Sequence, residues 1–170
     1  MKKFFTRRSL IELVLTVGLC SAILYYMGRP PANAPGADQV QTFALQTLDG
    51  NSVLSQNLTQ PTVLVFWATW CPPCKVELAR LQRLVSGGSI PAKSIIAVSI
   101  GEERGLVEKV SKERGYTFEV ALDPSGEVAS KYAIEGTPTV LLRNGDGTIS
   151  WRTSGVSPTL ELRVMKFFSK

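Results

Sequence analysis

Two cysteines separated by two prolines, Cys71 and Cys74, follow almost directly after a run of β-branched and aromatic residues. That run, Thr62–Trp67, is typical of a strand buried on both faces, and the prolines fit the first turn of a helix. Apolar residues then recur at roughly helical spacing, including Val76, until Gly87-Gly88 ends the pattern. The sequence therefore predicts a strand, a short junction and a helix, with both sulfurs at the junction.

Strand-like and helix-like patterns alternate on either side of this unit. Further strands are predicted at residues 41–48, 51–54, 94–99, 118–122, 139–142 and 148–153, and helices near residues 106–115, 124–132 and 158–168. Asp49-Gly50 predicts a hairpin turn between the first two strands. The alternation indicates the α/β class, with a central sheet covered by helices on both faces.

The N-terminal region has a different composition from the rest of the chain. Residues 2–8 are basic, and residues 10–27 are apolar except for Glu12 and a few small or hydroxyl residues. As a helix this stretch would span roughly 27 Å, close to the thickness of a bilayer's hydrocarbon core, and its basic flank favours the cytoplasmic side. We predict a cytoplasmic basic segment at 1–9, a transmembrane signal anchor at 10–28, a linker at 29–39 and a folded domain at 40–170.

Cleavage of this N-terminal segment is the alternative interpretation. Ala32-Asn-Ala34 resembles a signal-peptide cleavage site, although Pro35 would follow the cut, where proline is unfavourable. Thr6-Arg-Arg-Ser-Leu10 faintly resembles a twin-arginine export signal. The uncleaved anchor is the preferred interpretation, and it places the folded domain outside the cytoplasm.

The composition excludes several classes of function. Of the net charge of +5, residues 1–29 contribute +4, which leaves +1 on the rest of the chain, too little for a surface that binds nucleic acid. The absence of histidine excludes Cys-His and Ser-His catalysis and every metal site that needs histidine. The third cysteine, Cys20, lies in the N-terminal apolar run, where we expect a packed and inert thiol, so Cys71 and Cys74 lack the further ligands that zinc requires.

The spacing of Cys71 and Cys74 suits thiol-disulfide exchange, in which one thiolate attacks a disulfide and a second thiol resolves the mixed disulfide. A cysteine at a helix N-terminus has a stabilised thiolate, which assigns the attack to Cys71 and the resolving step to Cys74. Pro72 and Pro73 lack N–H groups, so two donors are missing from this helix end. A purely structural disulfide is the alternative, but so small a loop would add little stability.

The segment Phe66-Trp-Ala-Thr-Trp-Cys-Pro-Pro-Cys74, together with Gly136-Thr-Pro-Thr139, resembles the thioredoxin superfamily, and specifically its TlpA/ResA/CcmG-like branch of membrane-anchored thiol-disulfide oxidoreductases. The resemblance covers about residues 40–168. It implies a thioredoxin-like fold with a central mixed β-sheet, helices on both faces and an N-terminal β-hairpin extension, preceded by one transmembrane helix.

The resemblance also implies roles for residues around the two cysteines. The Thr137–Pro138 peptide bond is expected to be cis and to lie beside the disulfide, where it would present backbone to an extended substrate. Trp70, Pro72, Thr137 and Pro138 are the expected substrate-docking residues, whereas Trp67 is expected to pack beneath the motif.

Glu77 is the third expected catalytic residue. Thioredoxin itself has a buried aspartate where this chain has Val65, and the TlpA/ResA-like pattern instead has a glutamate three residues after the second cysteine, which here is Glu77. One helical turn beyond Cys74, this carboxyl could influence the thiol's proton, and partial burial would raise its pKa. An exposed helix glutamate is the alternative.

The resemblance implies a reductase of disulfides in extracytoplasmic proteins, anchored by a single span in the bacterial inner membrane. Its clients could include apocytochrome c, and a DsbD/CcdA-type membrane electron carrier would re-reduce it without a bound cofactor. The alternatives are a dithiol oxidase and a Cu(I)-binding metallochaperone, since thiolates suit Cu(I). Sco-like copper chaperones employ a histidine, however, and a peroxiredoxin's cysteine lies in a different sequence context.

Overall fold

The computed structural model describes residues 12, 14–21 and 41–169, and the chain divides into two compact units, Met1–Ala32 and Asn33–Lys170. The described residues of the first unit are helical and exposed; Cys20 among them is a free, exposed cysteine, so the expectation of a packed thiol is wrong. Nowhere in the described ranges is a helix long and apolar enough to cross a membrane. The remainder of the predicted anchor at 10–28, and the predicted segments at 1–9 and 29–39, lie outside the described residues.

Seven strands form a single mixed sheet in the second unit. They are β1 (Ala44–Thr47), β2 (Ser52–Leu54), β3 (Thr62–Trp67), β4 (Ile95–Ile100), β5 (Glu119–Asp123), β6 (Thr139–Arg143) and β7 (Ile149–Ser154). Their order across the sheet is β2-β1-β5-β4-β3-β6-β7. Strands β3, β4 and β5 are parallel neighbours, and the remaining pairings are antiparallel. The expected mixed sheet is confirmed, and the β1–β2 hairpin extends it through the pairing of β1 with β5.

Helices cover both faces of this sheet, as the sequence predicts. They are α1 (Pro72–Ser86), α2 (Arg104–Arg114), α3 (Glu127–Lys131) and α4 (Leu160–Phe168). Because successive strand residues point to opposite faces, Val63, Val65 and Trp67 of β3 pack with α1, α2 and α4. Leu64 and Phe66 pack on the opposite face with α3 and β1.

Helix α1 buries a different set of side chains from the one its apolar pattern suggested. Its buried residues are Cys74, Glu77, Leu78, Leu81 and Leu84. These positions follow the three- and four-residue steps of one helical face, and residue 76 lies off that face. Val76 is therefore 49% exposed, which corrects its assignment to the apolar face, and Glu77 takes a buried position beside the core.

Candidate active site

Cys71 and Cys74 form a disulfide at the junction between β3 and α1. The Sγ–Sγ distance is 2.08 Å and the Cα atoms are 5.3 Å apart. Cys71 is the N-cap residue of α1 with extended backbone angles, and Cys74 lies within the first helical turn. Both residues are buried in this oxidised form. The geometry is that of a redox-active pair carried on a helix N-terminus.

Two backbone groups face the sulfur of Cys71 from different elements. The Cys74 N–H donates a hydrogen bond to Cys71 Sγ at 3.2 Å, and the Thr137 carbonyl oxygen lies 3.5 Å from the same sulfur. Pro72 and Pro73 occupy the positions in between, so the Cys74 N–H is the first backbone donor of the helix after the cap. Although the prolines remove two donors, the next one is directed at the sulfur of Cys71.

The loop that carries Thr137 is held by hydrogen bonds to neighbouring residues. The Thr137–Pro138 bond is cis, which confirms the prediction. The Gly155 N–H donates to the Pro138 carbonyl at 2.8 Å, and Thr139 Oγ1 donates to the Gly136 carbonyl at 2.7 Å. These bonds fix the loop against the end of β7, so the Thr137 carbonyl has a defined position beside the disulfide.

The two tryptophans that flank the motif differ sharply in exposure. Trp67 is buried and makes an edge-to-face contact with Tyr116, with ring centroids 5.9 Å apart. Trp70 is 73% exposed, and the neighbouring Pro72 is exposed as well. A cleft of about 420 Å³ adjoins Trp70 and Thr137. Of the four expected docking residues, Trp70 and Pro72 are exposed, Thr137 is half-buried and Pro138 is buried.

Glu77 is fully buried, which excludes the alternative of an exposed helix glutamate. Its Oε1 accepts a hydrogen bond from the Ser157 N–H, and its Oε2 lies 3.1 Å from Nη1 of Arg80. Burial raises the pKa of the Glu77 carboxyl above its ordinary value, while the Ser157 hydrogen bond and the Arg80 charge act in the opposite direction. No hydrogen bond joins Glu77 to Cys71 or Cys74 among the described residues, so a role at the thiol stays a prediction.

Arg80 ties α1 to the loop that precedes α4. Its guanidinium donates to the Ser157 carbonyl at 2.6 Å and pairs with Glu161 of α4 at 3.4 Å, besides contacting Glu77.

Val65, at the position of thioredoxin's aspartate, is fully buried in the same core cluster as Cys74. The buried carboxyl of Glu77 therefore approaches the core from α1 instead of from the strand β3.

Sequence reasoning missed a second buried carboxylate, Glu102, which follows the end of β4 and is 8% exposed. It accepts hydrogen bonds from the Thr69 N–H at 2.9 Å, from the Thr69 hydroxyl and from the Ser99 hydroxyl at 2.8 Å. Because β3 and β4 are parallel, their carboxyl ends meet at one edge of the sheet. A glutamate just beyond β4 could have been placed near the cysteine motif on that ground.

The chain is similar to a protein-family model, to characterised proteins and to solved structures. The family model described as AhpC/TSA family matches residues 37–152. The chain is 30% identical to the sporulation thiol-disulfide oxidoreductase A of Bacillus subtilis, over 85% of this chain and 87% of that protein. It is 29% identical to the thiol-disulfide oxidoreductase ResA of Halalkalibacterium halodurans, over 87% of this chain and 84% of the relative. The crystal structure of StoA from Bacillus subtilis superimposes with a TM-score of 0.62 at 29% identity, covering 76% of this chain and 98% of StoA.

Proposed function

Because the chain belongs to the AhpC/TSA family of thioredoxin-like proteins, we propose that it is a protein-disulfide reductase that acts outside the cytoplasm. It is an enzyme, a thiol-disulfide oxidoreductase of the ResA and StoA type. The observation that carries the proposal is the position of Cys71, at the start of α1 and 3.5 Å from the Thr137 carbonyl. In this position one sulfur meets both a helix N-terminus and the backbone of a docking loop.

The reaction proceeds in two exchanges. In the reduced enzyme the Cys71 thiolate attacks one sulfur of a client disulfide, forms a mixed disulfide and releases the client's other sulfur as a thiolate, which takes up a proton. The Cys74 thiol then loses its proton and attacks the Cys71 sulfur, which re-forms the Cys71–Cys74 disulfide and releases the client's second thiol. Two electrons and two protons pass to the client in total. The Cys74 N–H, directed at Cys71 Sγ, favours the thiolate that begins this sequence.

The client binds across the surface around the disulfide. Trp70 and Pro72 offer exposed apolar area, and the Thr137 backbone offers hydrogen-bonding groups beside the Cys71 sulfur. Pro138 is buried, so its contribution is to shape the loop that carries Thr137. Docking of an extended segment brings a client disulfide to Cys71.

Glu77 handles the proton of the resolving thiol. Both residues belong to the buried face of α1, and a carboxyl with a raised pKa can exchange protons closer to neutral pH than an exposed glutamate can. Arg80 and Ser157 hold the carboxylate while the disulfide is intact. Its action on Cys74 belongs to the reduced enzyme, in which that thiol carries a proton.

The net direction is reductive, and a membrane electron carrier of the DsbD/CcdA type restores the dithiol. The resemblance to TlpA/ResA/CcmG-like proteins favours this direction, because relatives with a single-pass anchor and this glutamate mostly act as reductases. Apocytochrome c before haem attachment, or cysteine proteins exposed to oxidising stress, are the proposed clients. Trapping the redox state of Cys71 and Cys74 in living cells with an alkylating reagent tests the direction. Mostly reduced thiols support a reductase, whereas a persistent disulfide together with oxidation of reduced clients establishes an oxidase.

The location rests on the basic residues at 2–8 and the apolar run at 10–27, which together favour an uncleaved anchor with the folded domain on the far side of the inner membrane. Alkaline phosphatase fused after Lys170 tests both points. An active fusion that stays in the membrane fraction after a salt wash supports the proposal. An inactive fusion overturns the assigned side of the membrane, and a freely soluble, active one shows that the segment is cleaved.

A further inference from the structure

The turn that places Cys71 at the start of α1 is closed by a hydrogen bond from the Cys71 N–H to the Ala68 carbonyl at 3.2 Å. Thr69 and Trp70 occupy the two central positions of this turn. The two ends of the turn, Ala68 and Cys71, are buried in the core. Strand pairing with β4 stops at Trp67, so no strand hydrogen bond holds Thr69 at this edge of the sheet.

Glu102 holds Thr69 instead. Its carboxylate accepts hydrogen bonds from both the N–H and the hydroxyl of Thr69, and on the other side from the hydroxyl of Ser99 in β4. The carboxylate thus links the end of β4 to the turn two residues before the nucleophile. It is buried, and no Lys or Arg forms an ion pair with it in the described part of the chain.

A buried carboxylate that is compensated only by neutral donors is a costly way to close a loop. An apolar residue could fill the same space, but it would leave the Thr69 N–H and hydroxyl without partners. We propose that Glu102 is a positioning residue for thiol-disulfide exchange. By holding Thr69 it fixes the Ala68–Cys71 turn, and through that turn it sets the place of the Cys71 sulfur between the Cys74 N–H and the Thr137 carbonyl.

The proposal rests on the thiol-disulfide exchange activity, and it is independent of the location, the clients and the net direction. It is therefore tested with the purified protein, with insulin as the disulfide substrate and a chemical reductant as the electron source. If the unmodified protein does not reduce insulin, the proposed function is contradicted. Differences in rate between the unmodified protein and its variants test the role of Glu102.

Two matched pairs of variants separate positioning from stability. Thr69→Val keeps the shape of residue 69 and the charge of Glu102, but it removes the hydrogen bond from the Thr69 hydroxyl. Ser99→Ala removes the hydrogen bond that Glu102 accepts from the strand β4. Glu102→Gln removes the carboxylate, and the exposed neighbour Glu103→Gln is its control. We expect Glu102→Gln to slow insulin reduction about tenfold and Thr69→Val to slow it severalfold, because small displacements of a reacting group are costly. Ser99→Ala should slow it less than Thr69→Val does, because both bonds from Thr69 to Glu102 remain, and Glu103→Gln should keep the wild-type rate.

The thiol pKa of Cys71, followed through the pH dependence of its alkylation rate, reports position without depending on stability. In Thr69→Val the pKa should rise, because a displaced sulfur loses part of the stabilisation from the Cys74 N–H while the charge of Glu102 is unchanged. Wild-type rates and thiol pKa in both Thr69→Val and Glu102→Gln would overturn the proposal. An equal loss in Ser99→Ala would do so as well, since it would show a general weakening of the strand end. If Glu102→Gln does not fold, the Thr69→Val and Ser99→Ala pair still decides the question.

Discussion

The Oε1 atom of Glu77 accepts a hydrogen bond from the backbone N–H of Ser157, which lies 80 residues later in the chain. The contact connects α1, directly behind the disulfide, to the loop before α4. It also places a carboxyl in a site that solvent does not reach, with Arg80 as its charged neighbour. The proton on this carboxyl is therefore coupled both to the folding of the chain and, in our proposal, to the resolving thiol.

The first prediction concerns the pH dependence of stability. Burial raises the pKa of Glu77 above 4.5, so the native state keeps this proton at pH values where the unfolded chain has lost it. The contribution of Glu77 to the free energy of unfolding is full below pH 4.5 and is lost as the pH rises through the native pKa. The difference between wild type and Glu77→Gln, measured by urea unfolding of the oxidised proteins, should therefore fall as the pH rises from 4.5.

Glu161→Gln is the matched control for this measurement. Hydrogen bonds from Arg83 and Arg80 lower the pKa of the half-buried Glu161. Its contribution to stability is therefore present above pH 4.5 and is lost as the pH falls through the native pKa. The wild-type minus Glu161→Gln difference should change with pH in the opposite sense. A Glu77 difference that is flat or rises with pH would contradict the assignment of a buried, proton-holding carboxyl.

The second prediction concerns proton handling at the active site. Glu77→Gln should slow disulfide reduction by at least about tenfold and should alter the titration of the Cys74 thiol, because an amide cannot exchange the proton. Stopped-flow reduction of a model disulfide, together with thiol titration followed by ultraviolet absorbance, measures both effects. Glu161 contacts the same Arg80, and the Glu161→Gln variant should retain the wild-type rate. Matching rates and titrations in Glu77→Gln and wild type would reduce Glu77 to a structural residue.

Local sequence patterns predicted the elements of this fold more reliably than the partners of its buried polar groups. The strand Thr62–Trp67 is observed with the predicted bounds, because six consecutive apolar or β-branched residues suit a strand buried on both faces. The burial of Val76 and Glu77 could not be predicted in the same way, because a loose apolar pattern does not show which face of a helix packs on the core. The buried position of Glu77 depends on Ser157, 80 residues later in the chain, and that of Glu102 on Thr69, 33 residues earlier. No short motif contains either contact.

The third prediction concerns client docking at Trp70. Replacing this exposed indole with alanine should raise the KM for a protein disulfide about five- to tenfold, as expected for an aromatic contact at a protein interface. The rate with a small aromatic disulfide should change little, because such a substrate does not reach across the surface. Leu162→Ala is the control, since Leu162 is 64% exposed but lies on α4, outside the residues that contact the disulfide. Equal KM values for Trp70→Ala and wild type would remove Trp70 from the docking surface.

The fourth prediction separates the two cysteines by role. Cys71 caps α1 and faces the Thr137 carbonyl on the cis-proline loop, whereas Cys74 lies within the first turn and belongs to the buried face of the helix. Attack on a client should therefore come from Cys71, and release of the client should need Cys74. Cys74→Ser should accumulate mixed disulfides with clients, which disappear on reduction, and mass spectrometry of the trapped species should name the clients. Cys71→Ser should trap almost nothing, because its remaining thiol is enclosed by the core. If Cys71→Ser traps as many partners as Cys74→Ser, the order of attack and resolution is reversed.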